Sequence, residues 1–222
     1  MTLTKLFALS LAGLIVTSVS DARAQCGMGE VDFYTVERAN VARADEMLRQ
    51  GDAQKAAWLL QRTWPRLREA VPVASSLSFI ADGVRLMALA AVRTDGDIQP
   101  GFGWSSWTPA EKAQNVAWGV RRLRMLAAAD PSSTVVRTDL GEALSRAPST
   151  RDEARTILGA LEATDGIATP EGYAALAFVR VEAGDEIGAA VASAECERRA
   201  SNVEVQCTSL GGRVTPIVTA TR

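Results

Sequence analysis

Apolar residues recur along most of this chain at three- and four-residue intervals, the period of an amphipathic helix, and the breaks between runs are short and filled by Gly, Pro and small polar residues. A first run carries Val36, Ala39, Ala44, Met47 and Leu48 on one side and stops at Gly51-Asp52. The next lines up Ala56, Leu60, Trp64 and Leu67 and ends before Pro72, so the two read as a helical hairpin. A second hairpin starts near Ser76, with Leu77, Ile80, Val84, Met87 and Ala91 inward. Its partner helix opens at Thr108-Pro109-Ala110-Glu111, with Thr as the cap, Pro at the first helical position and Glu at the third. Ala113, Val116, Val120, Leu123 and Ala127 then mark its inner face as far as Asp130-Pro131.

A third hairpin runs through Leu140, Ala143 and Leu144, turns at Ala147-Pro148-Ser149, and restarts at Thr150-Arg151-Asp152-Glu153, a second capping-box sequence, before Ile157, Leu158 and Leu161. Thr169-Pro170-Glu171 opens the fourth, with Tyr173, Leu176, Ala177 and Val181 on one face, and Gly184-Asp185 turns it into a last helix carrying Ile187, Ala190, Val191 and Ala194. The pattern predicts an all-α fold of about four antiparallel hairpins over residues 36–200. After Cys196 the character changes. Val203–Gln206 and Val214–Val218 hold β-branched residues around Gly211-Gly212, which predicts a partly extended tail over 201–222, held by a disulfide if one forms.

One helix pair cannot bury its own apolar stripe and must lay it against the next pair. With only 5% aromatic residues, the core must close through Ala, Leu and Val and close backbone approach. Gly51-Asp52 followed by Ala56 and Leu60, and Leu176-Ala177 with Gly184-Asp185 and Ala189, stand like the small residues of tetratricopeptide repeats, and the chain resembles that family over about residues 36–200. The resemblance implies a right-handed superhelix of stacked hairpins whose groove binds a peptide or protein partner without chemistry. A non-repeating helical bundle satisfies the same periodicity.

The N-terminus has a different organisation. Lys5 precedes an apolar stretch from Leu6 to Val19, and Ala22-Arg23-Ala24 offers small residues at a cut, so residues 1–24 read as a secretory signal peptide cleaved near Ala24. That stretch and every later one fall short of the roughly 20 apolar residues of a spanning helix. Residues 25–35 are then an N-terminal extension, and the expected location is periplasmic or secreted. Cys26 would suit lipidation only with a small residue before it, where Gln25 stands. In an oxidising compartment Cys196 and Cys207 are the economical disulfide pair, though three cysteines permit three single pairings. Lys5, Lys55 and Lys112 are the only lysines among 24 basic residues, the bias of a GC-rich bacterial coding sequence.

Composition removes several chemistries. The 222 residues contain no histidine, which excludes His-based triads and imidazole metal sites, and the formal charge of −2 gives no positive field for nucleic acid. Nucleotide, zinc and nucleophile-elbow motifs are absent, and no cofactor is implied. The longest interruption of the helical rhythm, residues 94–107, brings Phe102, Trp104 and Trp107 close together among glycines, a composition suited to gripping a ligand or to folding back over an Ala-rich core. Asp95-Gly96-Asp97 in the same insert lacks the later oxygen ligands of a calcium loop and reads as a turn. Arg121, Arg122 and Arg124 read as an outward face, and Asp139 with Glu142, or Asp152 with Glu153, as carboxylates favoured near helix starts. The resulting expectation is a non-catalytic, exported scaffold of a bacterial cell envelope with a protein or peptide partner and possible self-association. The alternative is a helical cell-wall enzyme using Asp95 and Asp97 as general acid or base.

Overall fold

The computed structural model describes residues 33–70, 78–200 and Cys207. Those residues form eight α-helices: α1 (Phe33–Arg49), α2 (Ala53–Thr63), α3 (Ser78–Arg93), α4 (Pro109–Ala129), α5 (Thr134–Ser145), α6 (Arg151–Glu162), α7 (Pro170–Glu182) and α8 (Glu186–Arg199), with a 3-10 turn at Pro148–Thr150. No strand occurs among the described residues. The chain divides into two compact units, Met1–Val36 and Glu37–Arg222. Of the first, the described residues are those of the opening turn of α1; the signal-peptide expectation for residues 1–24 lies outside the described residues, as does the tail apart from Cys207.

Within the second unit the helices form four antiparallel hairpins, α1/α2, α3/α4, α5/α6 and α7/α8. The first helices lie side by side, α3 against α5 and α5 against α7. Side chains of α3 also bond to α1. Each second helix closes its own hairpin and packs on the next, α2 on α3, α4 on α5 and α6 on α7. This stacking buries α5 from every side beyond its first turn: Thr138 through Ser145 are all buried. Gly141 makes the approach of α6 possible, since a Cβ there would stand 2.5 Å from Leu158 Cγ. Gly119 does the same for α4 on α3, where a Cβ would meet the Ala88 carbonyl oxygen at 2.7 Å.

The turn chemistry explains most boundaries. Thr108 accepts from the Glu111 backbone N–H at 3.2 Å and its own N–H donates to Glu111 Oε2 at 2.9 Å, a complete capping box. Thr150 forms no such box; its hydroxyl donates instead to the Leu144 and Ala147 carbonyls, bracing the 3-10 turn. Helix α2 stops at Thr63 rather than running on through Leu67. Trp64 precedes Pro65, whose ring excludes the helical region for the residue before it, and Trp64 sits at φ −134°, ψ 90°.

Two inner faces also differ from the periodic expectation. Helix α4 buries Asn115, Trp118, Gly119, Leu123 and Leu126, while Ala113 is exposed. Asn115 is the cause: it donates to the Gly96 and Ser105 carbonyls at 2.9 and 2.8 Å, so a polar residue takes an inward place to hold the insert. Helix α8 buries Ala189, Ala192, Ser193 and Cys196, the side opposite Ile187 and Val191. Cys196 is bonded to Cys207.

Candidate functional site

The layer of first helices carries the unusual chemistry of this chain. Helix α3 reads as a nearly continuous apolar run from Leu86 to Val92, yet it is bounded by Arg85 and Arg93. Arg93 is buried and bidentate to Glu142 of α5, Nε to Oε1 and Nη2 to Oε2, both at 2.9 Å. Its remaining Nη1 donates to the Leu48 carbonyl of α1 and stands 3.0 Å from Glu171 Oε1 of α7. Arg85 donates to Asp139 Oδ2 of α5 at 2.7 Å and to Asp45 Oδ1 of α1 at 3.3 Å. Two guanidinium groups thus tie all four first helices together.

The planar fork of arginine, always charged, is what allows one residue to bond three helices at once. Removing charges from water costs several kcal/mol per ion, and only close pairing with satisfied hydrogen bonds repays it. Burial works to lower the Arg93 pKa, but Glu142 and Glu171 outweigh it and hold the guanidinium firmly charged. Asp139 is the weak member. Burial pushes its carboxyl up to about 6 against the pull of Arg85, and its Oδ1 has no hydrogen-bond partner among the described residues. Burial also raises Glu171, with Arg93 opposing.

Asp139 and Glu142 do not take the helix-start places, favoured by the macrodipole, that their spacing predicts. They stand beyond the first turn of α5, Asp139 in its middle and Glu142 in its last turn, each facing an arginine of α3. The available signal was their setting. A helix buried on all sides and still carrying two carboxylates requires partners, and two arginines flanking an apolar run supply them.

Above this network, α1 and α3 leave an open groove of about 350 Å³. It is lined by Val41, Ala42, Phe79 and Leu86, of which Phe79 and Leu86 are themselves buried, and by Arg38, Asp45, Asp82 and Arg85, which bring both signs of charge to it. Arg38 lies 5.7 Å over the Phe79 ring. Burial raises the Asp82 pKa, opposed by Arg85 and reinforced by Asp45. What such a groove offers a peptide is mainly charge register, from two arginines and two carboxylates, beside Val41 and Ala42.

The insert residues separate into two kinds. Trp104 is only 4% exposed; its ring meets Trp118 edge-on at 4.8 Å and Arg68 lies 4.5 Å over it, so it completes the core and is not available to a ligand. The physical reason is the Ala-rich interior, which leaves room that an indole fills. Phe102 and Trp107 are 50% and 79% exposed. Phe102 holds φ 51°, in the left-handed region between Gly101 and Gly103. The insert itself is held by Gln54 and Gln61 of α2, which donate to the Asp97 and Gln99 carbonyls, and by Asn115 of α4.

Asp95 and Asp97 form a turn with Gly96, whose φ of 77° and whose missing Cβ, which would stand 2.0 Å from the Lys112 carbonyl oxygen, fix glycine there. Asp97 pairs with Lys112 and Asp95 with Arg146. Arg124 pairs with Glu153, while Arg122 lies 5.6 Å over the Trp118 ring and donates to the Arg68 carbonyl, so only part of that arginine group faces outward. Among the described residues no cluster of acidic or thiol side chains is arranged to hold a metal, and no helix is long and apolar enough to cross a membrane.

No family model and no curated protein matches the sequence. Among solved structures, the chain is similar to a thermophilic TPR (tetratricopeptide-repeat) protein from Thermus thermophilus, with 16% identity over 75% of this chain and 92% of that one and a TM-score of 0.43.

Proposed function

We propose that this chain is an exported, non-catalytic scaffold of a bacterial cell envelope that binds a peptide or protein partner in the groove between α1 and α3. The observation that carries this reading is the groove itself. Its mixed-charge lining rests on helices that Arg85 and Arg93 tie to α5 and α7, so it is supported before any partner arrives. Export is supported by the signal-like pattern of residues 1–24 and by the Cys196–Cys207 bond, a form that persists outside reducing compartments.

A photoreactive benzoylphenylalanine at Ala42, in the full-length chain expressed with its N-terminal segment in a bacterial host, tests the reading. Irradiation is expected to join the mature chain to a discrete protein in the periplasmic fraction, and Arg38→Glu with Asp82→Lys to abolish that product without altering the helical circular dichroism. Products formed from position Trp107 but not from Ala42 would transfer the site to the insert. An uncleaved chain retained in the cytoplasm would contradict export.

A further inference from the structure

Three arginines without an acidic partner gather where the turn after α2 meets α4. Arg68, Arg121 and Arg122 form no ion pair among the described residues, whereas Arg66 and Arg124, each two positions from a member of the group, pair with Glu69 and Glu153. Arg121 is exposed, and Arg68 and Arg122 are half-buried. Their charges act on one another. Burial, and after it the charge of Arg121, lowers the pKa of both Arg68 and Arg122.

The two half-buried members are already oriented. Arg68 lies 4.5 Å over the Trp104 ring and Arg122 lies 5.6 Å over the Trp118 ring, and the two indoles meet edge-on at 4.8 Å. Arg68 Nη1 donates to Asn115 Oδ1 at 3.0 Å, and Asn115 is itself held by the Gly96 and Ser105 carbonyls. Arg122 Nη2 donates to the Arg68 carbonyl at 3.2 Å, the oxygen that also accepts from Trp118 Nε1 at 3.0 Å. Arg122 Nη1 reaches Met125 Sδ at 3.5 Å. That leaves Nε and Nη2 of Arg68, Nε of Arg122 and every donor of Arg121 without an acceptor among the described residues.

Planar forks that are fixed, charged and short of acceptors suit an anion. Charge decides which anion. A carboxylate brings one negative charge and two oxygens, which a single guanidinium fork satisfies. A phosphoryl group carries about −1.5 to −2 charge and three strong acceptor oxygens, and so matches a group of three arginines better. The overall charge of −2 does not oppose this, because at physiological salt it is the charges within about 8 Å that count. We propose that Arg68, Arg121 and Arg122 form a binding site for a phosphoryl group, supplied by free phosphate or by a lipid headgroup. The site lies on other elements than the groove between α1 and α3 and does not depend on it.

The test titrates the full chain with inorganic phosphate in a calorimeter, with ionic strength held constant by chloride. A saturable site is expected. Arg121→Glu, which removes no contact within the fold, is expected to weaken it by at least about ten-fold with the helical circular dichroism unchanged. Arg62→Glu, at an arginine that lies over Trp58 instead, is expected to leave it as it was. Acetate is expected to bind at least about ten-fold more weakly than phosphate. Sedimentation with phosphatidylcholine vesicles containing phosphatidic acid separates the sources. Pelleting that Arg121→Glu abolishes assigns the phosphoryl group to a lipid, and phosphate binding without pelleting assigns it to a soluble ligand. Neither phosphate binding nor pelleting, binding indifferent to Arg121→Glu, or acetate equal to phosphate would each overturn the proposal.

Discussion

The centre and the end of the helical stack invert the usual distribution of residues. At α3 and α5, two arginines and two carboxylates lie in the interior, whereas α8 turns Ile187 and Val191 outward. Neither helix can be understood from its own residues. Asp139 and Glu142 are tolerated inside because Arg85 and Arg93 reach them from the neighbouring first helix, while α8 presents an apolar stripe because no further hairpin follows it among the described residues. Position in the stack, not residue type, decides which face is inside.

The contrast can be broken most severely at the centre. Arg93→Met leaves Glu142 buried without its partner and should cost about 3–5 kcal/mol in chemical denaturation. If the loss is under about 1 kcal/mol, Arg93 is not the centre of the network.

The next effect depends on pH. Asp139 protonates in the folded chain at about 6, above the roughly 3.9 of an unfolded aspartate. The folded chain therefore holds a proton that the unfolded chain releases between those values. The contribution of Asp139 is fully present below about pH 4 and is lost as pH rises through about 6. Unfolding free energies of wild type and Asp139→Asn, measured from pH 4 to 7, should show the wild type losing roughly 2–3 kcal/mol relative to the variant as pH rises.

Smaller changes sharpen the comparison. Gly141→Ala would normally favour a helix, but its Cβ would stand 2.5 Å from Leu158 Cγ, so a net loss of about 1–2 kcal/mol is expected in thermal or denaturant unfolding. Ile187→Ser on the outer stripe should move global stability by less than about 0.5 kcal/mol, the usual range for a surface position. A larger loss there would mean that the end of the stack is held as tightly as the centre.

Much of the helical frame was legible in the sequence because Gly and Pro punctuate it: Gly51-Asp52, Thr108-Pro109, Thr169-Pro170 and Gly184-Asp185 each stand at a real helix boundary. The Trp64-Pro65 stop is equally legible, since the proline ring restricts the residue before it. The shifted face of α4 was not, since an inward asparagine such as Asn115 has meaning only once the Gly96 and Ser105 carbonyls are known to lie beside it. The buried network escaped for the same reason. Period counting assigns every carboxylate to the solvent side, and pairing between residues about 50 positions apart, such as Arg93 and Glu142, leaves no local trace. Of the insert aromatics, the sequence supplied both roles, core and surface, but not which ring takes which.

Helices α3 and α5 are joined by Arg93 and Glu142, behind the groove that α3 lines. A double-mutant cycle with Arg93→Met and Glu142→Met, read by denaturant unfolding, measures that link directly. Each single change should destabilise strongly while the double variant loses far less than their sum, a coupling of at least about 2 kcal/mol. Additive losses, with coupling near zero, would contradict it.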